Sequence, residues 1–269
     1  MLKKLRNLIR ERDVGLRTNL SEDFINELTI KLNHAFPHLH IRDADLAPII
    51  SYFGTILTSI KGRACNDVDD YIVNYFMRKA SSVKNSGKDD KYAQVEIGVL
   101  FGVGTVWMLK ALQDCASEHQ IISIDPLNGY YLSDNKEYSS VVDPCSKIPI
   151  NPATVRNNIS ACGFNDQLVT LITESSQSDN VYNKIKDFKI ASIWIDGDHS
   201  YEGLKNDFEK FFPLVVKGGY ILIDNYKDCH WKNSAWPDVT RFIECELVPQ
   251  NDKFKTILIH NRCFLLEKK

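Results

Sequence analysis

Residues 190–226 read IASIWIDGDHSYEGLKNDFEKFFPLVVKGGYILIDNY. An apolar run, Ile190 to Ile195, stops at Asp196-Gly197-Asp198-His199, and a helix-length amphipathic segment follows. Lys217-Gly218-Gly219 then reads as a turn before a second apolar run, Tyr220 to Ile223, that stops at Asp224-Asn225. Continuous apolar strands separated by a helix imply a parallel crossover covered on both faces. The same texture runs upstream through Tyr92 to Ile97, Ile121 to Ile124 and Leu168 to Ile172. Downstream, Phe254 to Ile259 and Cys263 to Leu266 flank His260-Asn261, close enough for an antiparallel hairpin. The expected fold is therefore α/β, a doubly wound and mainly parallel seven-stranded sheet finished by a hairpin.

Ahead of that sheet the pattern is helical, with Phe24, Ile25, Leu28, Ile30 and Leu32, then Ile72, Val73, Tyr75 and Phe76. No motif with chemical content stands out there. The polar stretch Lys84 to Lys91 reads as a linker, dividing the chain into a helical segment 1–83 and an α/β domain 84–269. With 43% hydrophobic and 25% charged residues in a chain of 269, disorder and coiled coil are excluded. The 33 basic and 35 acidic side chains leave a net charge of -2, so there is no global field for nucleic acid. Seven cysteines without a C-x-x-C pair fit reduced thiols in the cytoplasm better than disulfides or structural zinc. The opening MLKKLRNLIRERD is broken by charge and reads as an exposed amphipathic helix, not a signal peptide. The apolar stretch Leu46 to Ile60 contains Pro48 and Gly54 and is too short to span a bilayer. It reads as a buried or interface helix, without membrane insertion, on which a homodimer could form.

In doubly wound sheets ligands bind beyond the carboxyl ends of the strands. The first such end reads Glu96-Ile-Gly98-Val-Leu-Phe-Gly102-Val-Gly104-Thr105 and leads into the helical run Val106 to Leu112. Glycines let a ligand approach the backbone, and the helix N-terminus offers free N–H groups to an anion. Asp125 closes the next run 21 residues beyond Gly104, where a carboxylate meets a nucleotide ribose. A dinucleotide fingerprint would be G-x-G-x-x-G, whereas this turn is G-x-x-x-G-x-G with an acid before it, which favours S-adenosylmethionine. At the fourth and fifth strand ends, Asp196, Asp224 and Asn225 can converge on one cation if the strands are neighbours. Oxygen-only donors suit Mg²⁺ or another hard divalent ion.

From Tyr92 to about Tyr226 the chain resembles class I S-adenosylmethionine-dependent methyltransferases. The D-G-D-H-S-Y-E-G stretch, with K-G-G and I-D-N-Y after it, is similar to the macrocin-type and novobiocin-type sugar O-methyltransferases and, more distantly, to catechol O-methyltransferase. The resemblance implies a Rossmann-like fold and roles carried position by position. Glu96, Gly98 and Gly102 would form the cofactor loop, Asp125 would hold the ribose, and Ser175 would lie near the adenine. Asp196, Asp224 and Asn225 would be metal ligands, and Asp198 or His199 the general base. Several sugar-modifying relatives have an acid where this chain has Asn225, so its site carries one negative charge less.

The implied reaction is methyl transfer to a hydroxyl of a small molecule, a sugar or sugar-containing metabolite. A sulfonium methyl is already reactive, so catalysis reduces to aligning the acceptor oxygen and removing its proton. Pro126 to Pro152, with Tyr130, Tyr131 and Tyr138, suits a lid over cofactor and acceptor. Trp231 and Trp236 could wall the acceptor pocket or pack in the core, and His230 stands close enough to line it. His34, His38 and His40 read as a solvated turn. Two other classes stand beside this one: a metal-dependent phosphoesterase using D-G-D-H as a ligand loop, and an inert methyltransferase-fold binding protein.

Overall fold

The computed structural model describes residues 20–86, 91–128, 142–143, 145–227, 236–250 and 252–269. The opening basic segment, Tyr130, Tyr131, Tyr138, His230 and Trp231 lie outside them. Among these residues three helices come first: α1 (Glu22–Ala35), α2 (Asp43–Ser59) and α3 (Val68–Lys84). Then β1 (Tyr92–Ile97), α4 (Val103–Asp114), β2 (Gln120–Ile124), α5 (Pro152–Ala161), β3 (Val169–Ile172), α6 (Asp179–Ile185), β4 (Lys189–Ile195), α7 (Tyr201–Phe211) and β5 (Val215–Ile223) alternate. A short helix α8 (Pro237–Phe242) precedes the hairpin of β6 (Phe254–His260) and β7 (Cys263–Lys268).

The seven strands run in the order β3-β2-β1-β4-β5-β7-β6. β1 to β5 pair in parallel, and β7 lies antiparallel between β5 and β6. The chain reverses its direction of winding between β1 and β4, so the crevice between their carboxyl ends is where ligands bind in such sheets. Every residue of β1 is buried, as a strand covered on both faces requires. Ala93, Val95 and Ile97 point into the cluster built with Leu204, Phe208 and Phe211 of α7. Gln94 and Glu96 alternate to the other face, toward α3 and α4.

That second face is held by polar groups as well as by packing. The buried Arg78 of α3 donates to Ser192 O, Ser192 Oγ and Val95 O at 3.0, 2.9 and 2.7 Å. Burial pushes its guanidinium down to about 9, with Glu96 opposing. Gln94 in turn donates to Ser81 Oγ and Ser82 Oγ. α3 can therefore be polar in sequence and almost wholly buried, because its side chains find partners on the sheet. The described helices α1 to α3 share one hydrophobic cluster with Trp107, Trp194 and Leu265 of the α/β portion. Helix α2 buries Leu46, Ile49, Phe53, Ile56 and Leu57, in agreement with its reading as a packed helix.

One local expectation is corrected. Lys217-Gly218-Gly219 is not a turn before β5 but lies inside it, as a bulge where Ile190 pairs with Val215 and Ser192 already pairs with Tyr220. Gly218 has φ +75, and Lys84 Nζ caps its carbonyl at 2.9 Å.

Candidate active site

The turn after β1 is shaped by close approach. A Cβ on Gly98, at φ +88, would lie 2.0 Å from the carbonyl oxygen of Asp196, so only glycine lets the ends of β1 and β4 meet. A Cβ on Gly104 would collide with the Glu96 carboxylate at 1.9 Å. Glu96 is thus tucked under the first turn of α4, where Thr105 Oγ1 donates to its Oε2 at 2.5 Å. Burial raises it to about 8, against the lowering effect of Thr105 and Arg78. Gly102 stands at the N-cap of α4 in a left-handed conformation, and no side chain caps this helix.

Asp125 closes the turn from the side. Its Oδ2 accepts from Val99 N–H at 2.7 Å and Leu100 N–H at 2.9 Å, and its Oδ1 from Leu127 N–H at 2.8 Å. Burial raises its pKa while these three amides oppose the rise. Its carboxylate therefore organises the turn in addition to any contact with a ligand. Ser175, after β3, is exposed, and its hydroxyl accepts from Gln177 N–H at 3.3 Å.

The ends of β4 and β5 come together as neighbouring strands should. His199 Nε2 lies 3.2 Å from Asp196 Oδ1 and 2.8 Å from Asn225 Oδ1. Two hard oxygen donors from adjacent strands thus converge on one point. Asn225 reaches it from a left-handed backbone, φ +65, which asparagine tolerates. The imidazole stacks on Trp236 with centroids 4.2 Å apart, which gives that tryptophan its place at the site. Burial opposes protonation of His199, but the hydrogen bond and charge of Asp196, aided by Asp224 and Asn225, outweigh it and raise the pKa.

Asp198 does not join this group. Its Oδ1 accepts from Ser200 N–H at 2.9 Å and its Oδ2 from Gln177 Nε2 at 3.2 Å. It packs so closely on α7 that a Cβ on Gly203 would lie 2.2 Å from its Cγ. Of the two base candidates, geometry therefore brings only His199 to Asp196 and Asn225.

Asp224 is buried more deeply than its partners. It accepts from Asn66 Nδ2 and from Asn225 N–H, and Arg262 Nε stands 3.4 Å from its Oδ1. Burial pushes it up to about 7, with Arg262 pulling it down and Asp196 adding to the rise. Asn66 and Arg262 are residues that motif reading missed. Arg262, at the hairpin tip, also pairs with Asp70 at 3.1 Å and donates to Cys65 O at 2.7 Å. The N-terminal segment, in which no chemical motif was legible, thus supplies Asn66 and the buried trio Asp67, Asp69 and Asp70 behind the site. The signal for those acids was local: Asp67 and Asp70 form the capping box of α3. Their partners, His260 to Asp69 at 2.9 Å and Asn261 to Asp67 at 3.2 Å, stand more than 190 residues away.

The set Asp196, Asp224 and Asn225 offers the oxygen donors that Mg²⁺ favours, and the shared approach of His199 Nε2 shows that two of them aim at one locus. Asp224 would serve while still held by Asn66 and Arg262.

Residues 95–226 match the family described as Methyltransferase domain. Uncharacterized protein R132 of Acanthamoeba polyphaga mimivirus is 26% identical over 162 residues, 60% of this chain and 64% of that protein. The match thus spans less than two thirds of that relative. Among solved structures, CalS11, a calicheamicin methyltransferase, superposes with a TM-score of 0.56 at 16% identity, covering 93% of this chain and 94% of that one. The O-methyltransferase NovP superposes with a TM-score of 0.57 at 14% identity, covering 91% and 98%. Residues 95–226 thus match a methyltransferase domain, and the chain shares its fold with CalS11 and NovP. None of its described helices is long and apolar enough to cross a membrane.

Proposed function

We propose that the chain transfers the methyl group of S-adenosylmethionine to a hydroxyl oxygen of a small molecule, a sugar or sugar-containing metabolite, in the cytoplasm. The observation that carries this reading is the meeting of Asp196, His199 and Asn225 beside the glycine turn of β1. The uncapped N-terminus of α4 offers its N–H groups to the carboxylate of the cofactor's methionine part. Asp125 would meet the ribose, and Ser175, after β3, the adenine. Further support comes from similar folds: CalS11 is a TDP-rhamnose 3'-O-methyltransferase, and a Podospora anserina methyltransferase of similar fold is known with bound S-adenosylhomocysteine.

His199 is the base. Its Nε2 faces two acceptors, Asp196 Oδ1 and Asn225 Oδ1, and so carries a proton here. The tautomer protonated at Nδ1, which has no partner among the described residues, frees Nε2 to take the acceptor's proton. The Asp196 carboxylate 3.2 Å away stabilises the imidazolium that results. Trp236, stacked on the ring, holds its orientation and shields it from water. Asp196, Asp224 and Asn225 would hold Mg²⁺, whose chemistry when bound is to polarise the acceptor oxygen and orient a diol. Asp198 shapes the loop that delivers His199 to the site.

Calorimetric titration with S-adenosylmethionine, followed by a screen of sugar nucleotides and catechols for methyl acceptance with and without EDTA, tests the reading. Saturable cofactor binding is expected, with turnover that stops in chelator and returns with Mg²⁺. Absence of binding would sink the methyltransferase reading, turnover undiminished in EDTA the metal, and binding without any acceptor the enzyme itself.

A further inference from the structure

Helices α2, α3 and α4 line a half-open pocket of about 350 Å³ that shares no residue with the site just described. It runs along α4 from Trp107 to Asp114, toward the end opposite the glycine turn. The floor is apolar and aromatic, formed by the buried Ile49, Tyr75, Phe76 and Trp107. The rim is charged, with Asp45 and Lys79 beside Lys110 and Asp114.

Three of the four rim charges are already answered. Arg42 grips Asp45 at 2.9 and 3.2 Å, and Lys110 pairs with Asp114, whose second oxygen accepts from the Tyr75 hydroxyl at 2.7 Å. The ammonium of Lys79, half-buried on α3, is near enough to Asp45 to help lower its pKa but closes no ion pair or side-chain hydrogen bond among the described residues. On the floor, Trp107 Nε1 is buried and has no acceptor among them either. Buried donors in native proteins are almost always satisfied, so an orphaned indole N–H lining the same pocket as a lysine in no close ion pair marks a place where an acceptor is missing.

We propose that this cavity binds a small organic carboxylate with an aromatic or apolar body. Its carboxylate would pair with Lys79, its body would cover Ile49 and Phe76, and Trp107 would donate to one of its oxygens. The volume is at the lower end of the range of ligand pockets, roughly 300 to 1,000 Å³, which suits a single ring with a short side chain. A bare phosphate would leave the aromatic floor uncovered, and a neutral hydrocarbon would leave Lys79 and the indole N–H unmatched.

The test uses phenylacetate as the probe, titrated into the full chain labelled with ¹⁵N at tryptophan. The Trp107 indole resonance is identified by its loss in Trp107→Phe, or by elimination with Trp194→Phe, Trp231→Phe and Trp236→Phe should that variant not fold. A saturable shift of this one resonance is expected, weakened at least about tenfold in Lys79→Gln and at least about tenfold with phenylacetamide, which keeps the ring and loses the charge. Lys79 stands on the rim, and circular dichroism checks that its variant is folded. No saturation by about 10 mM, where even a site of about 1 mM affinity would be mostly filled, overturns the proposal. So does equal affinity in Lys79→Gln, or a shift confined to other tryptophans.

Discussion

Two groups of carboxylates lie close together in this protein and are handled in opposite ways. At the start of α3, Asp69 and Asp70 have fully buried side chains and are each met by a base from the hairpin tip, His260 and Arg262. At the strand ends, Asp196 and His199 remain partly open, with side chains 22% and 18% exposed, and their partner Asn225 carries no charge. A buried acid must be paired, because desolvation otherwise makes its charge costly. An acid that faces a crevice can remain under-coordinated and so stay available to a proton or a cation. Asp224 belongs to both groups, and Arg262 bridges it to Asp70. The contrast separates the acids that hold the fold from those left open to a ligand better than residue type does.

The strongest way to break the comparison is His199→Ala. Turnover should fall by ~10² to 10⁴, the span for a lost general base, while cofactor affinity by calorimetry changes little. Asp198→Ala should keep most of its turnover if it stays folded, and a dead Asp198→Ala beside an active His199→Ala would transfer the role. Next comes Arg262→Met, which strands Asp70 and Asp224 without their cation. A loss of about 3 to 5 kcal/mol is expected from denaturant unfolding, and an unchanged midpoint would show that the hairpin tip is not holding the acidic trio.

Asp207 of α7 sharpens the rule, because it is buried like the acids of α3 yet makes no ion pair among the described residues, with only the Ser176 hydroxyl beside it. Burial raises it from the usual 3.8 to about 7, helped by Asp198 and partly opposed by Ser176 and Lys210. Between about pH 4 and pH 7 the folded state then keeps a proton that the unfolded chain has released. Stability should therefore fall as pH rises through that window and level off above it. Asp207→Asn should abolish the slope and gain roughly 2 to 4 kcal/mol at pH 8. A slope that survives the substitution would belong to another acid, Asp224 first.

The smallest effect is expected at Asp125. Asp125→Ala should weaken S-adenosylmethionine binding by ~1.5 to 3 kcal/mol, the range for a lost hydrogen bond to a charged group. Because the carboxylate also holds the amides of Val99 and Leu100, the free protein should melt lower as well. Unchanged affinity in a folded variant would remove Asp125 from the cofactor site.

Much of the architecture was legible in the chain because it rests on local rules. Short apolar runs such as Ile121 to Ile124 and Ile190 to Ile195 read as strands covered on both faces, and their alternation with helix-length segments points to a parallel sheet. The convergence of Asp196, His199, Asp224 and Asn225 was legible for the same reason, since residues that end parallel strands share one edge of the sheet. Tertiary structure alone decided which way neighbouring side chains turn. Asp198 and His199 are adjacent, yet one packs onto α7 and the other reaches Asn225. It also decided that Asn66 and Arg262, 196 positions apart, close on Asp224 from two sides. Such pairings depend on how α3 and the hairpin dock, and no spacing along the chain encodes a docking angle. Local periodicity determines elements and the order of their ends, whereas the charge environment of a carboxylate is a sum over segments that meet only when the whole chain has folded.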